Sequence, residues 1–350
     1  MKYPCVEIDL NKISDNVIKV IKQTSKYGIN IAAVTKVISG DVTIMENIVS
    51  AGVVEIGDSR LENLKAINHL DVTKLLIRIP MESELCDVVK FCDCSLISEV
   101  DTALKISKYA VEQNKIFNLI LMTDLGDLRE GCFYEEELYM TVEKILELDN
   151  VNLIGIGTNW ACYGGIMPTD ENLSELCRRK SVIEDRYEIN LKVVSAGSSN
   201  CLHLLDSMPS CINHLRVGSA IFLGIGLNDA AIEGYHHNPF KLKAQIVELK
   251  KKPSIPIGKS CLNAFGKEVQ FEDKGEIIRA IIAIGRQDID IEEMIPNDPS
   301  VEILGSSSDH IVLQVPNTYK LGDIVSFNIT YPGCLKVMTS KYVNKEYKIK

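Results

Sequence analysis

Lys36 closes the apolar run Ile31-Ala32-Ala33-Val34-Thr35-Lys36. An ammonium at the end of a buried strand loses hydration, which lowers its pKa and frees the amine to condense with a carbonyl as a Schiff base. The same lysine emerging into solvent would be ordinary, so position alone leaves both readings open. Further along lie two neighbouring Ser/Gly-rich stretches, Ser195-Ala196-Gly197-Ser198-Ser199-Asn200 and Leu215-Arg216-Val217-Gly218-Ser219. Hydroxyls and unpaired backbone N–H groups in such loops suit a phosphate. Taken singly each is a turn, and its glycines serve first to reach φ > 0. An amine and a phosphate cradle together point to a phosphorylated carbonyl compound.

These residues need elements to hold them. From Ile29 to about Val217, apolar β-branched runs alternate with amphipathic stretches. The runs are 29–36, 53–58, 74–79, 95–99, 117–124, 151–159, 191–197 and 212–217, and helix-like segments such as 100–112, 135–147 and 172–187 separate them. Apolar strands separated by helices predict a parallel sheet covered on both faces, and eight such units predict a closed (β/α)8 TIM-like barrel. A six-stranded dinucleotide fold competes, but the count is too high and no G-x-G-x-x-G follows the first strand. In such a barrel the polar strand ends share one face, where Asp124-Leu125-Gly126-Asp127-Leu128-Arg129-Glu130-Gly131 and Gly157-Thr158-Asn159 join Lys36 and the serine loops. After about Gly234 the texture becomes strand-rich, with runs at 241–249, 277–284, 301–304, 311–315 and 324–329 and few helix signals. The reading is α/β: a barrel over 1–233 and a smaller, mainly β domain over 234–350, with a boundary in the 228–239 loop. The first strand, 6–10, could pair with the tail.

The bulk properties agree. The chain has 350 residues, 46% hydrophobic, enough for a large core, and a net charge of −10 that argues against a nucleic-acid or anionic-membrane binder. No apolar run reaches transmembrane length. The 11 cysteines form no framework, and the start shows no signal peptide, so the expectation is a cytoplasmic protein with reduced thiols. Cys92-Asp93-Cys94 has the wrong spacing for a zinc knuckle, and no metal is expected.

The motifs resemble those of the fold-type III pyridoxal-phosphate enzymes, which include alanine racemase. Ala32-Ala33-Val34-Thr35-Lys36 is similar to that family's Schiff-base strand, Gly155-Ile156-Gly157-Thr158-Asn159 to its ring-contacting strand, and Ser195-Ala196-Gly197-Ser198-Ser199 to its phosphate loop. Leu215-Arg216-Val217-Gly218-Ser219-Ala220-Ile221-Phe222-Leu223-Gly224 is the most specific of the set. A narrower resemblance, to the ornithine-racemase branch, runs nearly end to end. It is carried by the stretch from Asp124 to Gly131, Leu76-Ile77-Arg78-Ile79-Pro80-Met81, Ala283-Ile284-Gly285-Arg286-Gln287-Asp288 and Ser307-Ser308-Asp309-His310.

The resemblance implies pyridoxal 5'-phosphate on Lys36, interconversion of L- and D-ornithine with lysine as a second substrate, and a homodimer with shared active sites. It places Arg129 near the phenolic oxygen and the substrate, Asn159 against the ring, and Ser199, Gly218 and Ser219 on the phosphate. It also turns Arg216 toward the pyridine nitrogen. Arginine does not release its proton near neutrality, so the ring stays a weak electron sink. Proton return at Cα is then favoured over decarboxylation, for which the fold places a carboxylate at that nitrogen.

The sequence departs from the family in two places. Arg286 stands where alanine racemases carry a catalytic tyrosine, leaving Asp288, Asp309, His310 and Tyr331 as second acid/base candidates; Asp288 and His310 are preferred, with Asp309 facing the distal ammonium of the substrate. Gly40 stands where the family has a phosphate-contacting tyrosine. The alternatives are a decarboxylase or a metal-dependent D-amino-acid aldolase on the same fold, the latter opposed by the lack of a His-x-Cys pattern in the tail. A non-catalytic cofactor carrier would not need the second domain.

Overall fold

The computed structural model describes residues 2–262, 265, 266, 268 and 270–349. The chain opens with β1 (Cys5–Asp9) and α1 (Leu10–Ser25). Eight strands follow: β2 (Asn30–Val34), β3 (Glu55–Asp58), β4 (Thr73–Leu76), β5 (Cys94–Ile97), β6 (Phe117–Met122), β7 (Val151–Thr158), β8 (Val193–Ser198) and β9 (His214–Val217). The helices interleaved with them are α2 (Val42–Ser50), α3 (Leu61–Ala66), α4 (Leu85–Phe91), α5 (Val100–Glu112), α6 (Glu135–Leu146) and α7 (Asp170–Tyr187), with α8 (Ser219–Leu223) after β9. The strands are parallel, and β9 returns to β2 to close the barrel. The expected (β/α)8 architecture is therefore present.

Side chains fill the barrel. Ala32, Leu75, Cys94, Leu96, Ile120 and Met122 form a buried cluster, with Ile77, Ile79, Ile154 and Val193 packed against it. The helices follow from the apolar spacing: α5 buries Ala103, Ile106, Ser107 and Ala110, and α6 buries Leu138, Thr141, Val142 and Ile145. α7 starts two residues before its apolar pattern does. Thr169 Oγ1 accepts from the Asn172 N–H at 3.3 Å and Asn172 Oδ1 from the Thr169 N–H at 2.8 Å, a reciprocal cap that satisfies two otherwise free amides.

By its contacts the chain divides into two compact units, Lys12–His237 and Met1–Asn11 together with Asn238–Lys350. In the second unit lie β10 (Phe240–Pro253), β11 (Glu276–Ile282), β12 (Met294–Pro296), β13 (Glu302–Ser306), β14 (Ile311–Gln314), β15 (Ile324–Ile329), α9 (Tyr331–Thr339) and β16 (Asn344–Lys348). β10 is bent by a register shift between Ile246 and Glu248. Its first half pairs with β1 and β15, its second half with β11. β1 lies between β10 and β16, antiparallel to one and parallel to the other.

One expectation is corrected. Cys177 of α7 and Cys211, in the connection before β9, are joined as a disulfide, so not every thiol is free; 34 residues of chain separate them, a distance across which pairing is not legible in sequence. Cys92 and Cys94 are buried in the barrel packing. Among the described residues no helix is long and apolar enough to cross a membrane.

The packing gives a direct stability test. Leu96 is fully buried in the barrel interior while Leu104 of α5 is 46% exposed. Leu96→Ala is expected to lose about 2–5 kcal/mol in urea unfolding followed by circular dichroism, and Leu104→Ala no more than about 0.5 kcal/mol.

Candidate active site

The residues singled out in the barrel sequence all emerge at the C-terminal ends of its strands. Lys36 is displaced slightly from its expected place: β2 ends at Val34, and Lys36 opens a 3₁₀ turn, Lys36–Ile38. The cause is Thr35, whose backbone (φ −95, ψ 2) has left the extended region. The Thr35 N–H still donates to the Gly57 carbonyl at 3.0 Å, and its hydroxyl donates to Asp58 Oδ2 at 2.6 Å. Asp58 is fully buried at the end of β3. Its Oδ1 accepts from the Arg60 N–H at 2.8 Å and from Asn63 Nδ2 at 3.1 Å. Burial raises the Asp58 pKa, and these donors oppose the rise.

The Lys36 side chain reaches solvent at the barrel mouth, yet protein walls the amine on its other sides. Burial is the main cause that lowers its pKa; Cys162 is the largest opposing influence, the guanidinium groups of Arg129 and Arg216 act with burial, and Asp58 opposes it with Cys162. This is the environment that makes a lysine nucleophilic.

Arg216, in β9, is 5% exposed. Its Nη1 donates to the Ser195 carbonyl at 3.3 Å and to the Ser195 hydroxyl. Its Nη2 donates to the Thr158 carbonyl at 2.6 Å and to Asn159 Oδ1 at 2.9 Å. The Nε–H is the donor left without an acceptor among the described residues. Burial draws its pKa down to about 10, which still leaves it charged at neutral pH. Asn159 passes the network on, donating from Nδ2 to Glu130 Oε1 at 3.1 Å. Glu130 in turn grips Arg129 through both its oxygens. Burial works against the charge of Arg129, but the Glu130 carboxylate holds its pKa above the usual arginine range. Arg129 Nη1 also lies 2.8 Å from Cys162 Sγ.

The serine loops form a knot. Ser199 Oγ accepts from the N–H groups of Gly218 at 3.2 Å and Ala220 at 3.1 Å, drawing the loops after β8 and β9 together. A side chain at Gly218 would press on Val34, its Cβ 3.1 Å from the Val34 carbonyl oxygen. At Gly40, where φ is +63, a Cβ would sit 2.3 Å from Asn63 Cγ. Asn63 thus fills the space that a tyrosine there would require. Lys36, the unsatisfied Arg216 N–H and the closely approached serine loops suit a compound bearing an aldehyde, a ring nitrogen and a phosphate, and they fit pyridoxal phosphate.

Asp288, Asp309 and His310 belong to the second unit. The 285–290 and 307–310 turns are zipped together, Arg286 N–H donating to the Ser307 carbonyl at 3.0 Å and Gln287 N–H to the Ser308 carbonyl at 3.1 Å. Asp288 is 9% exposed, and its Oδ1 accepts from Ser340 Oγ at 2.6 Å. Asp309 and His310 are exposed, Ser308 Oγ donating to Asp309 Oδ2 at 2.7 Å. Arg286 is bound by Asp290 and Glu292. The sequence reading gave no role to Asp58, Asn63, Glu130 or Ser195. The one local signal was polarity at or within an apolar strand, as in Gly57-Asp58 and Val194-Ser195.

A closed parallel barrel thus gathers a lysine of lowered pKa, a buried arginine and two loops tied by Ser199 at the C-terminal ends of its strands. A family model described as alanine racemase, N-terminal domain, matches residues 8–225, and the chain belongs to this family. An ornithine racemase of Acetoanaerobium sticklandii is 42% identical over 98% of this chain and 99% of that protein. A lysine racemase of Thermotoga maritima is 41% identical over 99% of each. The solved alanine racemase of a D-cycloserine-producing Streptomyces lavendulae shares the fold, with a TM-score of 0.78 at 15% identity over 100% of this chain and 98% of that one.

Asp58 supports the ammonium form of Lys36, so Asp58→Asn should lower the Lys36 pKa further. Under cyanate at mildly alkaline pH the apoprotein variant is then carbamylated at Lys36 faster than the wild type, as read by peptide mass; an equal rate would remove Asp58 from this role.

Proposed function

We propose that this chain is a pyridoxal-phosphate-dependent racemase of a basic amino acid, ornithine first and lysine second, working by proton exchange at Cα. The observation that carries the reading is Arg216, a buried cation at the C-terminal end of β9 whose Nη1 and Nη2 are held by Ser195, Thr158 and Asn159, leaving Nε–H without a protein acceptor among the described residues, and whose charge acts on Lys36. The similarity to an ornithine racemase and a lysine racemase, over nearly the whole length of each, supports the choice of substrate.

When bound, pyridoxal phosphate supplies an aldehyde for the substrate nitrogen and a ring that withdraws electrons from Cα. Lys36 would carry it, with Ser199, Gly218 and Ser219 at its phosphate and Asn159 against its ring. Arg216 would meet the ring nitrogen as a donor that keeps its own proton, a setting that would limit electron withdrawal and favour proton return over loss of the carboxylate. The Lys36 amine, its pKa lowered chiefly by desolvation, would take or return the Cα proton on its face. Arg129, fixed by Glu130, would face the phenolic oxygen and the substrate carboxylate. On the opposite face the second acid/base is assigned to Asp288 or His310, and Asp309 to the distal ammonium of the substrate. The assembly is a cytoplasmic homodimer that shares its sites.

The test is L-ornithine with the cofactor-loaded protein in heavy water, analysed by chiral chromatography and mass. D-Ornithine with deuterium at Cα is the expected product. Undeuterated, unchanged L-ornithine rejects the substrate, and Lys36→Ala is expected to abolish the exchange. Asp309→Asn should raise KM for ornithine roughly 10- to 100-fold, the value of one charge-assisted bond, and change kcat little. Asp288→Asn and His310→Gln, assayed in both directions, identify the second acid/base by which of them loses turnover.

A further inference from the structure

The barrel interior holds a histidine for which the mechanism above has no use. His214 opens β9, 4% exposed, and faces Ser195 of β8, its register partner, which is fully buried. His214 Nδ1 and Ser195 Oγ are 2.8 Å apart. On its other side His214 Nε2 lies 3.3 Å from Glu55 Oε1, without the alignment of a hydrogen bond.

The proton positions follow from what each group can do. A guanidinium only donates, so Ser195 Oγ accepts from Arg216 Nη1. The hydroxyl then has one proton to give, and His214 Nδ1 is its only acceptor among the described residues. His214 must therefore be neutral, with its proton on Nε2 toward Glu55. If Nδ1 carried the proton instead, the Ser195 hydroxyl would face two donors and its own proton would be left without an acceptor in the barrel interior.

We propose that His214 is a positioning residue for Arg216. By taking the Ser195 proton it commits the Ser195 lone pairs to the guanidinium and locks Nη1, which leaves Nε–H as the group presented at the barrel mouth. The inference rests on the reading that Arg216 meets the cofactor ring.

The first test needs no cofactor. Nitrogen-15 NMR of the apoprotein should show His214 as the neutral Nε2–H tautomer with a hydrogen-bonded Nδ1, and Ser195→Ala should remove that hydrogen-bond shift. An imidazolium or an Nδ1–H tautomer overturns the proposal. The second test uses the holoenzyme. His214→Asn places an amide oxygen where Nδ1 was and should keep the cofactor absorption band and kcat near wild type. His214→Leu should shift the band and lower kcat roughly tenfold, about one hydrogen bond, with KM changed less than about twofold. If His214→Asn is as impaired as His214→Leu, or if His214→Leu leaves both readouts unmoved, the role is overturned. Arg216→Lys separates the two layers: an unmoved band there overturns the reading of Arg216 and this proposal with it, whereas a moved band with none in His214→Leu overturns His214 alone. Should His214→Leu fail to fold, the tautomer and the Ser195→Ala shift decide.

Discussion

A guanidinium inside a barrel is tolerable only if its donors are met, and much of the site follows from meeting those of Arg216. Isolated charges in a dry interior carry penalties that no packing offsets, so each acceptor must be in place before the arginine can be there. The acceptors come from three residues on two neighbouring strands: the Thr158 carbonyl that ends β7, Asn159 just beyond it, and both oxygens of Ser195 in β8. Each is consequently committed to a geometry. Asn159 must present its oxygen to Arg216 and its nitrogen to Glu130, and so the amide has only one orientation.

The same mouth gathers a second problem, three basic groups in one place. Arg129 and Arg216 both press the Lys36 amine toward neutrality, while Asp58 holds it back. Glu130 absorbs the charge of Arg129, and that separates the tasks: one cation is locked by a carboxylate, one by neutral acceptors, and the third, the Lys36 amine, has no hydrogen-bond partner among the described residues. The placement of Asn63 against Gly40 belongs to this arrangement, because Asn63 also braces Asp58.

The barrel was legible in the sequence because each of its strands is a short apolar run, and such runs are hard to place anywhere but a covered parallel sheet. Boundaries were less so. Lys36 reads as strand because nothing in Val34-Thr35-Lys36 announces that Thr35 abandons the extended conformation to reach Asp58. In the second unit, α9 begins Tyr331-Pro332-Gly333, which reads as a turn, although Thr330 caps it. β16, Asn-Lys-Glu-Tyr-Lys, has no apolar alternation and is defined only by its pairing with β1. Lys36 and the polar strand-end loops that hold Arg129, Asn159, Ser199, Arg216, Gly218 and Ser219 could be picked out because strand ends and loop motifs are local signals, whereas the roles given to those residues came from the family resemblance. Ser195 and Asp58 could not be given partners, because the serine meets an arginine 21 residues away and the aspartate a threonine 23 residues away.

The strand order of the second unit bears on how the chain is made. β1 emerges from the ribosome ahead of the barrel, but its partners β10 and β16 lie well beyond it, more than 90 residues apart in the chain. The barrel is one unbroken run, Lys12–His237, whose own contacts can all form once that run is out. The opening strand has to wait, its edges unpaired, while the whole barrel is synthesised, and unpaired edges invite wrong partners. Nascent chains halted between the end of β9 and β10 would therefore carry a folded core and an orphaned first strand, the stage of biogenesis at which a chaperone has most to cover.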